Sequence, residues 1–256
     1  PFTLVEDVES NVLWVRGGFP RSYLADSEPA SVRWREGYIR TFLERDLPAL
    51  GVSLPPVQMR RFWTMIAHLH GGVLNQSSLA ASTGMSAKAV KRNLDLLDGA
   101  FVLRQLQPWL SNLGKRLVRA PKVYLRDSGL LHRLLGLDHR EAVLSHPKLG
   151  ASWEGFALEQ VCATLQARPE ETSFWATHNG AELDLLVEKD GRRLGFEMKW
   201  SDAPKFTRSM ASALEDLNLE SITVLTPGTN EYALHERVHV VPLETWAKRT
   251  LTASAP

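Results

Sequence analysis

The stretch Ala181-Glu-Leu-Asp-Leu-Leu-Val-Glu-Lys-Asp-Gly-Arg-Arg-Leu-Gly-Phe-Glu-Met-Lys199 predicts two β-strands joined by a tight turn. Asp190-Gly191 favours a two-residue hairpin loop, because a type I′ turn needs positive φ at both central residues. Such a loop pairs Lys189 with Arg192, and this Lys189–Arg192 register fixes every other pair. It gives one apolar face, made of the pairs Leu183 with Met198, Leu185 with Phe196, and Val187 with Leu194. A slip by one residue would scatter that face, so the hydrophobic pattern supports the register.

The other face of this hairpin bears charged residues. Two predicted cross-strand pairs join opposite charges, Glu182 with Lys199 and Glu188 with Arg193. The third pair sets Asp184 opposite Glu197, with the two Cβ atoms about 5 Å apart, so the carboxylates repel. A bound divalent cation would remove that repulsion. The hairpin therefore predicts a metal site at Asp184 and Glu197.

The composition is that of a soluble globular protein. Hydrophobic residues make up 44% and charged residues 23% of the 256 residues. No apolar run is long enough to span a bilayer, and the first residues show no secretory signal. A single cysteine, Cys162, excludes an internal disulfide and fits a reducing compartment. We expect a cytoplasmic protein that does not enter the membrane.

The chain divides into three predicted regions. Residues 1–54 form a helical linker segment with one clear helix at 31–47, which ends at Pro48. Residues 55–125 form a winged helix-turn-helix, and residues 126–256 form an α/β domain. The fold class is thus mixed α/β. Because the chain starts with Pro1 and its first stretch resembles the middle of a longer protein, we expect a fragment.

The region 55–125 shows the pattern of a DNA-binding motif. A helix over 56–70 is followed by a short helix over 77–82, a turn at Gly84 and a second helix that begins after Ser86. That second helix exposes the candidate phosphate contacts Lys88, Lys91 and Arg92. Residues 86–122 hold eight basic and two acidic residues, although the whole chain has a net charge of only +1. The alternatives are DNA contact through the second helix, or packing and protein contacts with a solvated basic face.

The last region predicts the order α-β-β-β-α-β. The predicted elements are a helix over 151–165, strands over 173–177, 182–188 and 193–199, a helix over 206–217 and a strand over 222–226. A further strand near 238–241 and a helix over 244–249 follow, so we expect a mixed sheet with helices packed on it. Glu154 continues the apolar side of the first helix and needs a partner there. A backbone amide, an arginine or a metal-bound water would each serve.

These residues and their order resemble the PD-(D/E)XK nuclease superfamily. The resemblance covers residues 149–226 and rests on Glu154 in the helix, Asp184 on the second strand, and Glu197-x-Lys199 on the third. Leu183 stands where the superfamily has a proline. The resemblance implies a metal-dependent nuclease that hydrolyses phosphodiester bonds.

The resemblance also implies a role for each site residue. Asp184 and Glu197, with the backbone carbonyl of Met198, would hold Mg²⁺ or Mn²⁺. Lys199 would orient the attacking water or stabilise developing negative charge. Glu154 would hold a second metal ion or a water. Glu182, facing Lys199, would tune it.

Nearly the whole chain is similar to the C-terminal half of an AAA+-type ATPase family. Four stretches bear this similarity: Gly17-Gly-Phe-Pro20, Arg40-Thr-Phe-Leu-Glu-Arg-Asp46, Tyr124-Leu-Arg-Asp-Ser-Gly-Leu130 and Trp153-Glu-Gly-Phe156. The similarity implies an N-terminal ATPase domain outside this chain, and an apolar patch exposed near residues 1–25 where that domain would lie. The chain has no phosphate-binding loop, so we expect no ATP site in it.

The turn Asn179-Gly180 predicts a second hairpin, with Trp175 opposite Asp184 and Thr177 opposite Glu182. Trp175 would stack on a base or, more simply, pack on the sheet. Two functions stay open at this point. One is a metal-dependent nuclease with a DNA-binding winged helix. The other is a non-catalytic module that uses a nuclease-like fold to bind nucleic acid or protein; the oligomeric state is undetermined.

Overall fold

The computed structural model describes residues 9–51, 54–110 and 117–253. They form two compact units. The first comprises Glu9–Gln105 and Val123–Gly155, and the second comprises Leu106–Lys122 and the chain from Phe156 onward. The expected fold class is confirmed, since the chain combines many helices with a mixed sheet of six strands.

The first unit is mainly helical. Its helices are α1 (Ser10–Arg16), α2 (Pro20–Tyr23), α3 (Glu28–Thr41), α4 (Leu47–Ala49), α5 (Pro56–Leu69), α6 (Gln76–Thr83), α7 (Ala87–Gly99), α8 (Ser128–Leu134) and α9 (Arg140–Leu144), with a π-helical turn at Phe42–Asp46. Three short strands, β1 (Gly72–Val73), β2 (Leu103–Leu106) and β3 (Lys122–Leu125), form a sheet in the order β1-β3-β2, and all their residues except Leu106 and Lys122 belong to this unit.

The helices predicted from residues 56–99 are present for the predicted reasons. Gly84 has a φ of +70°, a left-handed conformation that a glycine adopts without strain, and it ends α6. The Ser86 hydroxyl accepts a hydrogen bond from the Ala89 N–H at 3.2 Å and caps α7. Val90, Leu94 and Leu97 of α7 are buried, whereas Lys88, Lys91 and Arg92 are exposed. The predicted separation of apolar and basic residues on this helix is confirmed.

Two of the family-like stretches meet at the Asp127 carboxylate. Asp127 accepts hydrogen bonds from the N–H groups of Gly18 and Leu130, both at 2.8 Å. A Cβ at Gly129 would overlap the carbonyl oxygen of Arg16, so the backbones can approach this closely only because residue 129 is a glycine. The buried Arg35 donates a hydrogen bond to the Gly129 carbonyl at 3.1 Å. These two stretches therefore hold neighbouring backbone segments of the unit together.

A buried polar network surrounds His132 in the same unit. His132 Nδ1 lies 3.0 Å from the carbonyl oxygen of Val15, and its Nε2 lies 2.7 Å from Ser152 Oγ. Trp14 Nε1 donates to the same Ser152 oxygen at 3.0 Å. Burial lowers the pKa of His132 to about 4, so the ring is neutral at physiological pH. Since a carbonyl only accepts, Nδ1 holds the proton and Ser152 donates to Nε2.

The predicted exposed patch near residues 1–25 falls partly outside the described residues, because residues 1–8 are among those not described. Leu13, Trp14 and Val15 are buried, whereas Leu24 is 65% exposed. Leu24 borders a shallow depression of about 480 Å³ that also involves Pro20 and Trp34. The link between this patch and an absent domain stays a prediction.

The second unit contains the six-stranded sheet, in the order β4-β5-β6-β7-β9-β8. Its strands are β4 (Thr172–Ala176), β5 (Glu182–Lys189), β6 (Arg192–Met198), β7 (Ile222–Thr226), β8 (Tyr232–His235) and β9 (Val238–Pro242). Its helices are α11 (Arg208–Asp216) and α12 (Leu243–Ala253), while α10 (Leu149–Thr164) runs from the first unit into the second. The strand pairs β6-β7 and β7-β9 are parallel and the others are antiparallel. The predicted α-β-β-β-α-β order is present, and β8 is an additional strand.

The Lys189–Arg192 register is confirmed in the β5-β6 hairpin, from Lys189 with Arg192 to Leu185 with Phe196. Asp190 and Gly191 have φ values of +51° and +74°, as a type I′ turn requires. The predicted register of the second hairpin holds at the start of β4, where Thr172 pairs with Val187 and Ser173 with Leu186. It shifts by one residue after Ser173, so that Trp175 pairs with Leu183 and Ala176 with Glu182. The Thr177 N–H donates to the Ala181 carbonyl at 2.8 Å, so the loop holds three residues instead of two.

None of the described helices is long and apolar enough to cross a membrane.

Candidate active site

The β5-β6 hairpin brings two carboxylates and an ammonium group together. Asp184 lies on β5, Glu197 lies on β6, and Lys199 directly follows the end of β6. Lys199 Nζ lies 2.6 Å from Glu197 Oε2 and 3.4 Å from Asp184 Oδ2. The three predicted residues therefore meet at one point, although their role in catalysis stays a prediction.

Both carboxylates are buried, whereas the Lys199 side chain is 38% exposed. Asp184 Oδ2 also accepts a hydrogen bond from the Met198 N–H at 2.8 Å. The Asp184 side chain thus binds the backbone of the neighbouring strand and the Lys199 ammonium with the same oxygen. These bonds fix its orientation toward Glu197.

Glu197 lies in an electrostatically unfavourable position. Burial raises the pKa of its carboxyl well above the ordinary value, and the nearby charge of Asp184 raises it further. The Lys199 ammonium acts in the opposite direction and lowers this pKa. Burial and Asp184 outweigh Lys199, so the pair has an excess of negative charge that a proton or a further cation would compensate.

The described residues supply only part of a metal coordination shell. Among them, no group of three or more His, Cys, Asp and Glu side chains could hold a metal ion together. A cation bound by Asp184 and Glu197 would therefore need backbone oxygens and waters for its remaining ligands. The predicted Met198 carbonyl is one such oxygen.

The predicted Glu182–Lys199 pair lies beyond the last observed pair of β5 and β6, Leu185 with Phe196, and stays a prediction. Glu182 forms an ion pair with Lys122, whose side chain is 5% exposed and whose Nζ lies 5.6 Å from the centroid of the Phe174 ring. A buried lysine needs a counter-ion, and Glu182 supplies it. Sequence reasoning missed Lys122; a lysine at the start of the apolar strand Lys-Val-Tyr-Leu was the available signal.

The other predicted pair on this face is confirmed. Arg193 Nε lies 2.9 Å from Glu188 Oε1, and each side chain is 42% exposed. Trp175 packs in the core with Leu183 and Leu186 and is 1% exposed. Its role is sheet packing, and its predicted place opposite Asp184 is wrong because of the longer loop described above.

Glu154 belongs to the first unit, whereas the other three candidate residues belong to the second. Its Oε1 accepts a hydrogen bond from the Tyr124 hydroxyl at 2.5 Å. The expected protein partners of Glu154 were a backbone amide or an arginine, and the observed partner is a tyrosine hydroxyl. The positive charge of Lys148 is also close enough to interact with Glu154, although burial lowers the pKa of that lysine. A role for Glu154 in holding metal or water stays a prediction.

The candidate DNA contacts lie on the exposed side of α7. Lys88, Lys91 and Arg92 are all exposed. Arg92 Nη2 donates a hydrogen bond to the Gly51 carbonyl at 2.8 Å, which fixes one of its nitrogens. The two lysines extend from the first half of the same helix.

Two regions of the chain match known protein families. Residues 9–141 match the family described as a domain of unknown function, DUF8612. The chain belongs to the DUF8612 family. Residues 149–246 match a second domain of unknown function, DUF4143, which is found in AAA-ATPase-associated proteins.

Two mycobacterial relatives resemble this DUF8612 chain along almost its whole length. They are the uncharacterized protein Rv2008c of Mycobacterium tuberculosis strain H37Rv and the uncharacterized protein Mb2031c of Mycobacterium bovis. Each is 50% identical over 243 residues, which are 94% of this chain and 55% of the relative. The chain thus spans about half the length of these relatives. No solved structure matches it.

Replacement of Lys199 tests whether it is the counter-ion of the buried pair. Lys199→Met is expected to lower the free energy of unfolding by about 2 kcal/mol at alkaline pH, below the value for a fully buried pair because Lys199 is partly exposed. The loss should shrink as the pH falls. Without Lys199 the folded-state pKa of Glu197 rises further, so the folded variant binds a proton that the unfolded chain has released, and its stability falls with rising pH. Denaturant titrations at several pH values measure this.

The matched control is Glu188→Gln, which weakens the exposed Arg193–Glu188 pair of the same hairpin and keeps the contacts of Arg193 with the Leu217 carbonyl and the Trp109 ring. It should cost less than about 1 kcal/mol and show no comparable pH trend. Equal losses in the two variants, or a pH-independent loss in Lys199→Met, would contradict the assignment.

Proposed function

We propose that the second unit is a PD-(D/E)XK-type nuclease domain that hydrolyses phosphodiester bonds of nucleic acid with a divalent cation. The supporting observation is the convergence of Asp184, Glu197 and Lys199, with Lys199 Nζ 2.6 Å and 3.4 Å from the two carboxylates. Two buried carboxylates with one partly exposed ammonium provide both a cation site and a group that can reach an anionic substrate.

The donor set fits a hard divalent cation such as Mg²⁺ or Mn²⁺. Asp184 and Glu197 offer carboxylate oxygens, the ligands these ions prefer, and a cation would relieve the repulsion from Asp184 that raises the pKa of Glu197. The proposed ligands are these two carboxylates and the Met198 carbonyl. When bound, such a cation polarises a phosphate and lowers the pKa of an attacking water.

The protein groups would position and stabilise the substrate. Lys199 would turn from the carboxylates to a phosphate oxygen and stabilise the negative charge that develops there. The Met198 N–H holds Asp184 by a 2.8 Å hydrogen bond, so this carboxylate keeps its orientation while Lys199 moves. Glu154 is proposed to hold a second cation or a water, positioned by the Tyr124 hydroxyl.

We further propose that residues 56–125 form a winged helix that binds DNA through α7. The chain order α5-β1-α6-α7-β2-β3 and the sheet order β1-β3-β2 support this assignment. In helix-turn-helix proteins the second helix of the motif enters the major groove. Lys88, Lys91 and Arg92 of α7 are exposed and would contact phosphates.

A non-catalytic binding module is the second candidate. Lys199 already compensates part of the charge of the pair, and the described residues supply no third metal-ligating side chain. Both observations suit an ion pair that stabilises a nuclease-like fold used for binding nucleic acid or protein. Cleavage assays separate the two candidates.

The chain is proposed to act in the cytoplasm beside an ATPase domain of a longer protein. The DUF4143 match and the coverage of about half of each relative support this context. Cys162, the single cysteine of the sequence, is buried, which suits a reducing compartment.

Cleavage of plasmid and single-stranded DNA tests the hydrolysis directly. The chain should cleave in the presence of Mn²⁺ or Mg²⁺ and not in the presence of a chelator.

Lys199→Ala and Asp184→Asn should each reduce the rate by about 100-fold or more, because each removes a group that stabilises the reacting phosphate or the cation. Arg193→Ala, on the same hairpin, should cleave at the wild-type rate. Folding of each variant is checked by circular dichroism. Absence of cleavage by the wild type would favour the non-catalytic module, and unchanged cleavage by Asp184→Asn would show that the hydrolysis does not depend on this site.

Salt dependence of duplex binding tests the role of α7. Binding should weaken steeply as salt rises, because phosphate contacts release counterions. Replacing Lys88, Lys91 and Arg92 with alanine should reduce the slope of log K against log salt by roughly 3. Alanine at the exposed Arg33, Arg40 and Arg45 provides a control of equal charge change. If both triple variants show the same slope as the wild type, α7 does not bind DNA.

A further inference from the structure

Two aromatic rings lie stacked on the surface of the second unit. Phe206 directly precedes the N-cap of α11, and His235 is the last residue of β8. Their ring centroids are 4.8 Å apart and their planes differ by 9°. Phe206 is 38% exposed and His235 is also exposed, whereas Phe174, Trp175 and Phe196 of the same unit are buried. An exposed stacked pair of this kind is a candidate surface for a planar ligand.

The loop that bears Phe206 is held in place on both sides. The Tyr232 hydroxyl of β8 donates a hydrogen bond to the Asp202 carbonyl at 3.5 Å, and Pro204 is buried. On the other side, the Thr207 hydroxyl accepts from the Met210 N–H at 3.2 Å and caps α11. The ring is therefore ordered before any ligand arrives, which lowers the entropic cost of binding.

The basic residues beside the pair favour contact with a nucleic-acid strand. Acidic residues nearby keep this surface from attracting anions strongly in general. Lys205 and Arg208 flank Phe206 in the chain, and both are exposed. Asp202 and Glu236 are exposed nearby along the same two segments, so the local charge is mixed. Binding at this surface must then depend on ring stacking, with the cations contributing contacts to phosphates.

A short chain segment connects the stacked pair to the carboxylate site. The chain from Lys199 to Phe206 links the end of β6 to α11. Seven residues of extended chain reach at most about 25 Å, which limits the distance between the two places. A strand that stacks on Phe206 would therefore extend within a few nucleotides of Asp184 and Glu197.

We propose that the Phe206–His235 pair is a base-stacking platform for single-stranded DNA. This inference rests on the proposed function and specifies its substrate: unpaired bases stack on Phe206, and Lys205 and Arg208 contact the adjoining phosphates. Each stacked base in such platforms contributes enough affinity that its loss is readily measured.

The test measures binding of labelled oligonucleotides in a chelator, so that no cleavage occurs. The probes are a thymidine oligomer, an abasic oligomer of the same length and a duplex. The wild type should prefer the thymidine oligomer to the abasic one. Phe206→Ala should weaken binding of the thymidine oligomer by about tenfold and leave the abasic oligomer nearly unchanged. Phe206→Trp should bind at least as well as the wild type. Leu251→Ala, which removes an exposed apolar side chain of the same unit, should have no effect.

Four results would overturn the platform. Two concern the wild type: undetectable binding of the thymidine oligomer, or equal binding of the thymidine and abasic oligomers. Two concern Phe206→Ala: wild-type affinity, or an equal loss for both oligomers. Because the binding assay contains no metal, its result is independent of the cleavage assay. Absence of DNA cleavage would not contradict the platform, and absence of the platform would not contradict the proposed hydrolysis.

Discussion

One ammonium group shared by two buried carboxylates is the constraint on which the second unit depends. Lys199 Nζ contacts both Glu197 and Asp184, and Asp184 in turn accepts the N–H of Met198. Burial and mutual repulsion raise the pKa of Glu197 even in the presence of Lys199. Such an arrangement costs stability, as groups assembled for binding or catalysis often do. The nearby Glu188–Arg193 pair, in which each side chain is 42% exposed, has a smaller cost of this kind.

The sequence predicted this site because turn chemistry and hydrophobic pattern agreed on one register. Asp190-Gly191 fixed the loop length, and the apolar pairs excluded a slip. The same reasoning was wrong by one residue at Asn179-Gly180, where the loop includes His178 as well. There a glycine with positive φ suits both two- and three-residue loops, so the dipeptide alone did not determine the register.

Partners that are distant in sequence were less predictable. Glu182 binds Lys122 and Glu154 binds the Tyr124 hydroxyl, contacts that depend on which chain segment lies beside each strand or helix. Local patterns contain no information about such neighbours. The stretches around Gly17, Asp127 and Gly129 resembled a family through their residue types. In the structure they allow backbone segments to approach closely and to be joined by hydrogen bonds. The β8 strand was not predicted because four residues are too few for their alternating exposure to give a clear pattern in the sequence.

Calorimetric titration with Mn²⁺ detects a cation at Asp184 and Glu197 without any substrate. If the two carboxylates form a metal site, each chain binds one Mn²⁺, Asp184→Asn loses that binding, and Glu188→Gln on the exposed side of the same hairpin keeps it. Lys199→Met should bind Mn²⁺ more tightly, because the competing ammonium is gone. Absence of binding by the wild type, or wild-type binding by Asp184→Asn, would show that the two carboxylates and Lys199 form a structural ion pair and not a metal site.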